Sequence, residues 1–135
     1  MNALVDTSVW SLALRRARGP SLVEATELEE LIREGRAAII GPIRQELLSG
    51  VRSARQFELL REHLRAFPDL ELETDDFELA AEFFNRCRGR GVQGSNTDFL
   101  ICAAASRRDH SIFTTDRDFT SFAKLLPIKL HSARG

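Results

Sequence analysis

Five acidic residues stand where a carboxylate could do chemistry. Asp6 directly follows the apolar run Ala3-Leu4-Val5. Asp116 comes one residue after the run Ser111-Ile112-Phe113-Thr114, and Asp118 two residues later in Thr114-Thr115-Asp116-Arg117-Asp118-Phe119. Glu46 lies in the first turns of a helix opened by Gly41-Pro42, and Asp98 in the first turn of an apolar helix, next to Asn96 and Thr97. Each acid alone has an ordinary structural explanation. Asp98 suits a helix N-terminal dipole, Asp116 can close an Asx-turn, Glu46 can be solvated surface and Asp6 a loop cap. Gathered together they need a different one. Two unit charges ~4 Å apart repel by ~1 kcal/mol in water and ~4 kcal/mol at an effective dielectric of ~20, so converging carboxylates call for a cation. Oxygen ligands without nearby His or Cys suit Mg²⁺ or Mn²⁺ rather than zinc. Such a cation orients water, lowers its pKa and clamps phosphate oxygens, which is the chemistry of phosphodiester hydrolysis.

Whether the acids meet depends on the elements that carry them. Ala3–Val5 is too short for a helix and reads as a buried strand; Ala37-Ala38-Ile39-Ile40, Leu70-Glu71-Leu72-Glu73 and Ser111–Thr114 read as three more, with Pro127-Ile128-Lys129-Leu130 as an edge strand. Helices fall between them. Thr7 and Ser8 can cap the first, which Gly19-Pro20 stops; Ser21 and Glu24 have capping-box spacing for the second. Pro42 opens the next and Gly50 lies beyond its end. Ser53 begins a helix with Phe57, Leu60, Leu64 and Phe67 at a helical period, ended by Pro68. Thr74 caps another, with Asp75 and Asp76 on its dipole, and Asn96 or Thr97 caps the apolar Phe99–Ala105 helix. Short strands alternating with helices imply right-handed crossovers and a parallel sheet covered on both faces, one α/β/α domain over residues 1–135. Strand ends and helix starts share one rim of such a sheet, and ligands bind there.

Other chemistries have weaker support. His63 sits on a helix, His110 beside a loop and His131 near the tail, so no Ser-His-Asp set is comparably placed. There is no phosphate-binding GxxxxGK[ST] loop, and Gly89, Gly91 and Gly94 do not match a dinucleotide fingerprint. A phosphoacceptor receiver domain wants paired acids after the first strand and a lysine after a late one; Asp6 is single, and Lys124 and Lys129 do not follow Thr114 closely. Cys87 and Cys102 lie in helical apolar patterns and read as two buried thiols. No apolar run is long enough to span a membrane, the start lacks a basic region, and the chain reads as cytoplasmic. The balance of 19 Lys+Arg against 20 Asp+Glu argues at first against a nucleic-acid partner. Setting aside Asp6, Glu46, Asp98 and Asp116 takes the remainder from −1 to +3, a slightly cationic shell around an acidic pit.

Four segments carry a resemblance. Val5-Asp6-Thr7-Ser8-Val9-Trp10, Pro42-Ile43-Arg44-Gln45-Glu46-Leu47-Leu48-Ser49-Gly50, Thr97-Asp98-Phe99-Leu100-Ile101-Cys102-Ala103-Ala104-Ala105 and Thr114–Phe119 resemble, in order and spacing, PIN-domain ribonucleases and more narrowly the VapC toxins of toxin–antitoxin pairs. The likeness spans nearly the whole chain; Cys102 stands where alanine is more usual. It implies a three-layer α/β/α sandwich with a mainly parallel sheet of four to five short strands. It implies an endoribonuclease using Mg²⁺ or Mn²⁺, with Asp6, Glu46, Asp98 and Asp116 as the catalytic, metal-binding quartet and Asp118 as an auxiliary acid. Thr7 and Thr114 would be hydroxyls that orient carboxylates or water, a support that metal ligands generally need. The products would carry a 5′-phosphate and a 3′-hydroxyl. A homodimer and a VapB-like antitoxin, its C-terminal segment lying across the active-site groove, are implied as well. A non-catalytic module of the same fold and a DNA-directed nuclease are the alternatives. Candidate RNA-contacting cations are Arg15, Arg16, Arg18, Arg44, Arg86, Arg88, Arg90 and Arg117, any one of which can equally be solvated surface; Trp10 is core or a dimer contact rather than a base-stacking platform.

Overall fold

The computed structural model describes residues 1–14 and 22–134; the expected helix stop at Gly19-Pro20, the cap at Ser21 and the cations Arg15, Arg16 and Arg18 lie outside them. The elements run β1 (Ala3–Val5), α1 (Thr7–Leu14), α2 (Leu22–Arg33), β2 (Ala37–Ala38), α3 (Gly41–Leu48), α4 (Ala54–Leu64), α5 (Thr74–Arg88), α6 (Asn96–Arg107), β3 (Ser111–Phe113) and α7 (Asp118–Ala123). The strands form one parallel sheet in the order β2-β1-β3, with Leu4 opposite Ala38 on one side and Ile112 on the other. Every residue of β1 and β3 is buried, so both faces of the sheet are covered, as an all-parallel sheet requires.

The sheet is narrower than expected, with three strands among the described residues rather than four or five. Both missing strands survive as single parallel bridges, Ile39 with Asp69 and Ile112 with Leu130. In the first case Pro68 has no N–H to extend the ladder backwards. Ahead of the bridge, the carbonyl of Glu71 is taken by the Arg108 guanidinium at 2.8 Å instead of by a strand. In the second, Pro127 again lacks a donor, and Ile128 spends its N–H on the carbonyl of Leu126 at 2.9 Å.

Three helix starts differ by a residue or two from the expected caps. Asp6, not Thr7 or Ser8, caps α1: its Oδ1 accepts the Thr7 N–H at 2.8 Å, and its carbonyl accepts those of Val9 and Trp10. Glu73 rather than Thr74 precedes α5, its N–H given to Asp76 Oδ2 at 2.8 Å. Ser95 rather than Asn96 or Thr97 caps α6. Its hydroxyl accepts the Asp98 N–H at 3.1 Å, and Asp98 Oδ2 accepts the Ser95 N–H at 3.0 Å, a reciprocal capping box. Ser53 caps α4 as its position implied, accepting from the Gln56 N–H at 3.2 Å.

One continuous apolar cluster joins these elements. α6 lies at its centre, with every residue from Phe99 to Ala105 buried, and packs on β1, β3 and α5. Trp10 is buried too and donates its indole N–H to the carbonyl of Val5 at 3.1 Å. Cys87 and Cys102 are free, buried thiols, and burial pushes both up from the ordinary thiol range. Two polar clusters fasten the periphery. Asp76, fully buried, takes Arg108 in a two-pronged pair at 2.8 and 2.9 Å and Arg107 at 2.9 Å, tying the start of α5 to the end of α6. Glu27 on α2, 3% exposed, holds His131 and Arg134, so the segment after the second bridge is strapped against α2.

Candidate active site

The rim at the carboxyl end of the sheet collects most of the chemistry expected of it. β1 delivers Asp6 and β3 delivers Thr114, whose two elements are neighbours in the sheet; the Asp6 N–H donates to the carbonyl of Phe113 at 2.9 Å. Asp6 is 8% exposed, and its carboxylate is held from three sides. Oδ1 accepts the Thr7 N–H, while Oδ2 accepts the hydroxyls of Thr114 at 2.7 Å and Ser8 at 3.1 Å. Thr114 passes the alignment on, its oxygen accepting the Asp116 N–H at 3.0 Å. Asp116 in turn accepts the Asp118 N–H through Oδ1 at 2.9 Å, the Asx-turn geometry that starts α7.

Glu46 reaches the same rim from the middle of α3. It is exposed, and its Oε2 accepts the Thr7 hydroxyl at 2.9 Å. Thr7, Glu46 and Thr97 share the lining of an open groove of about 550 Å³ with Pro42, Gln45 and Ser49. Asp98 stands one residue further along α6, half-buried. Burial pushes its carboxyl above the ordinary aspartate value, opposed by the two Ser95 hydrogen bonds and reinforced by the charges of Asp116 and Asp6. Asp98 therefore feels both of the other aspartates, although it is 92 residues from one and 18 from the other. Among the described residues no Lys or Arg forms an ion pair with Asp6, Glu46, Asp98, Asp116 or Asp118. Asp98 thus lies within electrostatic reach of Asp6 and Asp116, and among the described residues no cationic side chain is paired with any of them.

The donor chemistry fits a hard divalent cation. All the candidate ligands are oxygens, and the charges of Asp116 and Asp6 act against the ionised form of Asp98. Among the described residues no three His, Cys, Asp or Glu side chains close into a ready-made cage. A hard cation of this kind needs only one or two carboxylates together with waters and phosphate oxygens, so the fit rests on the donor types and not on a closed cage.

The cations divide into two groups. Arg44 is engaged within the chain: it donates through Nε to Asp69 at 3.0 Å, and through its two terminal nitrogens to the carbonyls of Leu64 at 2.9 Å and Phe67. Its position beside Glu46 in the sequence serves the joint between α3 and the end of α4. Arg86 lies over the Phe83 ring at 5.5 Å. Arg88, Arg90 and Arg117 are exposed and unpaired among the described residues, and Arg117 does not pair with Asp118. Ser8 is the site residue that sequence reasoning passed over. Its position two residues after Asp6 looks like a helix-cap serine, and the only signal of more was the unbroken Asp-Thr-Ser run behind a buried strand.

A family model described as the PIN domain matches residues 3–125. No curated protein matches by sequence. Among solved structures, the FitAcB structure from Neisseria gonorrhoeae superposes with a TM-score of 0.76 at 19% identity, over 96% of each chain. VapBC2 from Rickettsia felis, bound to a DNA fragment from its promoter, gives 0.78 at 17% identity over 97% of this chain and 98% of that one. VapBC-5 from Mycobacterium tuberculosis, described as a member of the VapBC family of toxin–antitoxin systems, gives 0.70 at 18% over 96% of each. At these identities the likeness is one of fold. With the family model covering most of the length, strand β1 through helix α7 included, this chain belongs to the PIN-domain family.

Proposed function

We propose that the chain is a metal-dependent endoribonuclease, the toxin of a VapBC-type pair, acting in the cytoplasm. PIN domains are in general nucleases that use divalent metal ions. The observation that supports the reading is that the Thr114 hydroxyl joins Asp6 to the Asp116 turn while Asp98, its carboxyl raised first by burial, stands close enough for the charges of both to add to that rise, and among the described residues no basic side chain pairs with any of the three. Asp6, Glu46, Asp98 and Asp116 would hold Mg²⁺ or Mn²⁺, with Asp118 beside them. When bound, such an ion lowers the pKa of a water and polarises phosphate oxygens. The chain's own residues do the rest. Thr114 and Ser8 fix the Asp6 carboxylate, Thr7 fixes Glu46, and the Ser95 box fixes Asp98. Arg88, Arg90 and Arg117 supply positive charge for the phosphate backbone.

Partners follow from the same reading. Among the similar solved structures, VapBC-5 is described as a member of the VapBC family of toxin–antitoxin systems, and VapBC2 is bound to a DNA fragment from its promoter. We take an antitoxin whose C-terminal segment lies across the groove, and a second copy of this chain, as partners. Mapping RNA 5′-ends after brief expression tests the activity. New 5′-phosphate ends with the wild type and none with Asp6→Asn support it. Intact RNA, together with equal harm from both proteins, sinks it. Cleavage of DNA in preference to RNA by the purified protein with Mn²⁺ would favour a DNA-directed nuclease instead.

A further inference from the structure

We propose that Ser8 is a positioning residue for the metal-binding carboxylate Asp6, an inference that rests on the nuclease reading above. The case is one of counting hydrogens. A hydroxyl has a single hydrogen to give and two lone pairs to receive with. The Thr114 oxygen accepts the Asp116 N–H at 3.0 Å and gives its hydrogen to Asp6 Oδ2 at 2.7 Å. The Ser8 oxygen accepts the Thr115 N–H at 3.1 Å, so its one hydrogen is free for either Asp6 Oδ2 at 3.1 Å or Thr114 Oγ1 at 3.3 Å. The carboxylate oxygen is nearer and charge-assisted, and takes it.

Two hydroxyls therefore donate to one oxygen of Asp6, and each is itself held by a backbone N–H of the turn after β3. A carboxylate oxygen has about two lone-pair sites, and both on Oδ2 are filled. Oδ1 receives only the Thr7 N–H and retains one, which leaves Oδ1 as the oxygen that would be available to a cation. Ser8 is what completes this choice. It also couples the site's two halves, since the same oxygen that orients Asp6 holds the 114–116 turn that carries Asp116.

The test is Mn²⁺ binding measured by calorimetry and by the loss of the free-ion electron paramagnetic resonance signal, without RNA. Ser8→Ala is expected to bind Mn²⁺ about tenfold or more weakly, the scale on which outer hydrogen-bond partners tune metal sites. Ser8→Thr keeps the hydroxyl and is expected to bind as the wild type does. Ser53→Ala, which removes the cap of α4 far along the chain, controls for lost stability and is expected to leave Mn²⁺ binding unchanged. Wild-type affinity in Ser8→Ala, equal loss in Ser8→Thr, or equal loss in Ser53→Ala overturns the inference alone. A wild-type protein that takes up no Mn²⁺ overturns the proposed function, and this inference with it.

Discussion

Thr7 and Glu46 are 39 residues apart, yet the threonine hydroxyl donates to the glutamate Oε2 at 2.9 Å. This bond links the first turn of α1 to α3 across the open face of the site. Glu46 is exposed and otherwise free to swing, so the bond's worth is positional rather than cohesive. Thr7→Val, at a half-buried position, is expected to cost no more than about 1 kcal/mol, the worth of one hydrogen bond. RNA cleavage should fall about 10- to 100-fold. Thermal melting and single-turnover cleavage, run side by side, check the pair of outcomes; a loss of both together would contradict it.

Asp98→Asn separates stability from activity in the other direction. The aspartate is half-buried and repelled by Asp116 and Asp6, while its capping bond to Ser95 needs only an acceptor oxygen, which Asn supplies. The metal-free variant is expected to melt at or above the wild-type temperature and to cleave no RNA. Asp6→Asn and a chelator should likewise abolish cleavage.

Asp76 is the opposite case, a carboxylate that stabilises because it is balanced. The Arg108 guanidinium, first, and then the Glu73 N–H and Arg107 hold its carboxyl well below the usual range, against the opposing effect of burial. A carboxyl depressed in the folded state contributes stability above its unfolded value of 3.8, and loses that contribution as pH falls further. Asp76→Ala is expected to cost about 3 kcal/mol at pH 7 by stranding two arginines. In urea titrations the gap between variant and wild type should narrow below pH 4 and stay constant between pH 5 and 8.

Gly94 leaves no room for a side chain. A Cβ built there would lie 2.6 Å from Phe122 Cζ and 3.0 Å from Phe99 Cε2, two rings that already pack at 4.8 Å between centroids. Gly94→Ala is expected to destabilise by about 1–3 kcal/mol, the cost of overpacking. Because Gly94 adjoins Ser95, the cap that sets Asp98, Mn²⁺ affinity should drop as well. Melting and calorimetry on one preparation check both.

The arginines are separable by salt. Removing a phosphate contact lowers the slope of log affinity against log salt by about 1. Arg88→Ala, Arg90→Ala and Arg117→Ala are expected to do so, with melting unchanged. Arg44→Ala is expected to lower the melting temperature and leave the slope alone, because its guanidinium is spent on Asp69, Leu64 and Phe67. Binding of a catalytically dead Asp6→Asn protein to RNA at several salt concentrations reads this directly.

The sequence made the centre of the fold plain and its margins less so. Ala3–Val5 ends abruptly at an acid, and Phe99–Ala105 is apolar all round, so a central strand, a central helix and the acid between them were readable. The edge strands fall short because alternation in Leu70–Glu73 is real, but Pro68 lacks an N–H for the ladder and Arg108 takes the Glu71 carbonyl. The caps lie a residue or two before the expected ones, since Ser, Thr, Asn and Asp crowd together at positions 6–8 and 95–98, and all of them can cap. Arg44, spent on Asp69 and two carbonyls, illustrates a related limit. Adjacency to Glu46 in the chain says nothing about which side of a helix a long side chain takes.

The parallel sheet also imposes a timetable. β1 is the middle strand, and the neighbour that completes the site, β3, begins at Ser111. The bond between Thr114 and Asp6 spans 108 residues, which a ribosome adding about 5–20 residues per second takes roughly 5–20 s to lay down. Until then Asp6 has no turn to lean on, and long-range closures of this kind form late. A nascent chain thus lacks the turn that holds Asp6 until almost all of its fold has been synthesised.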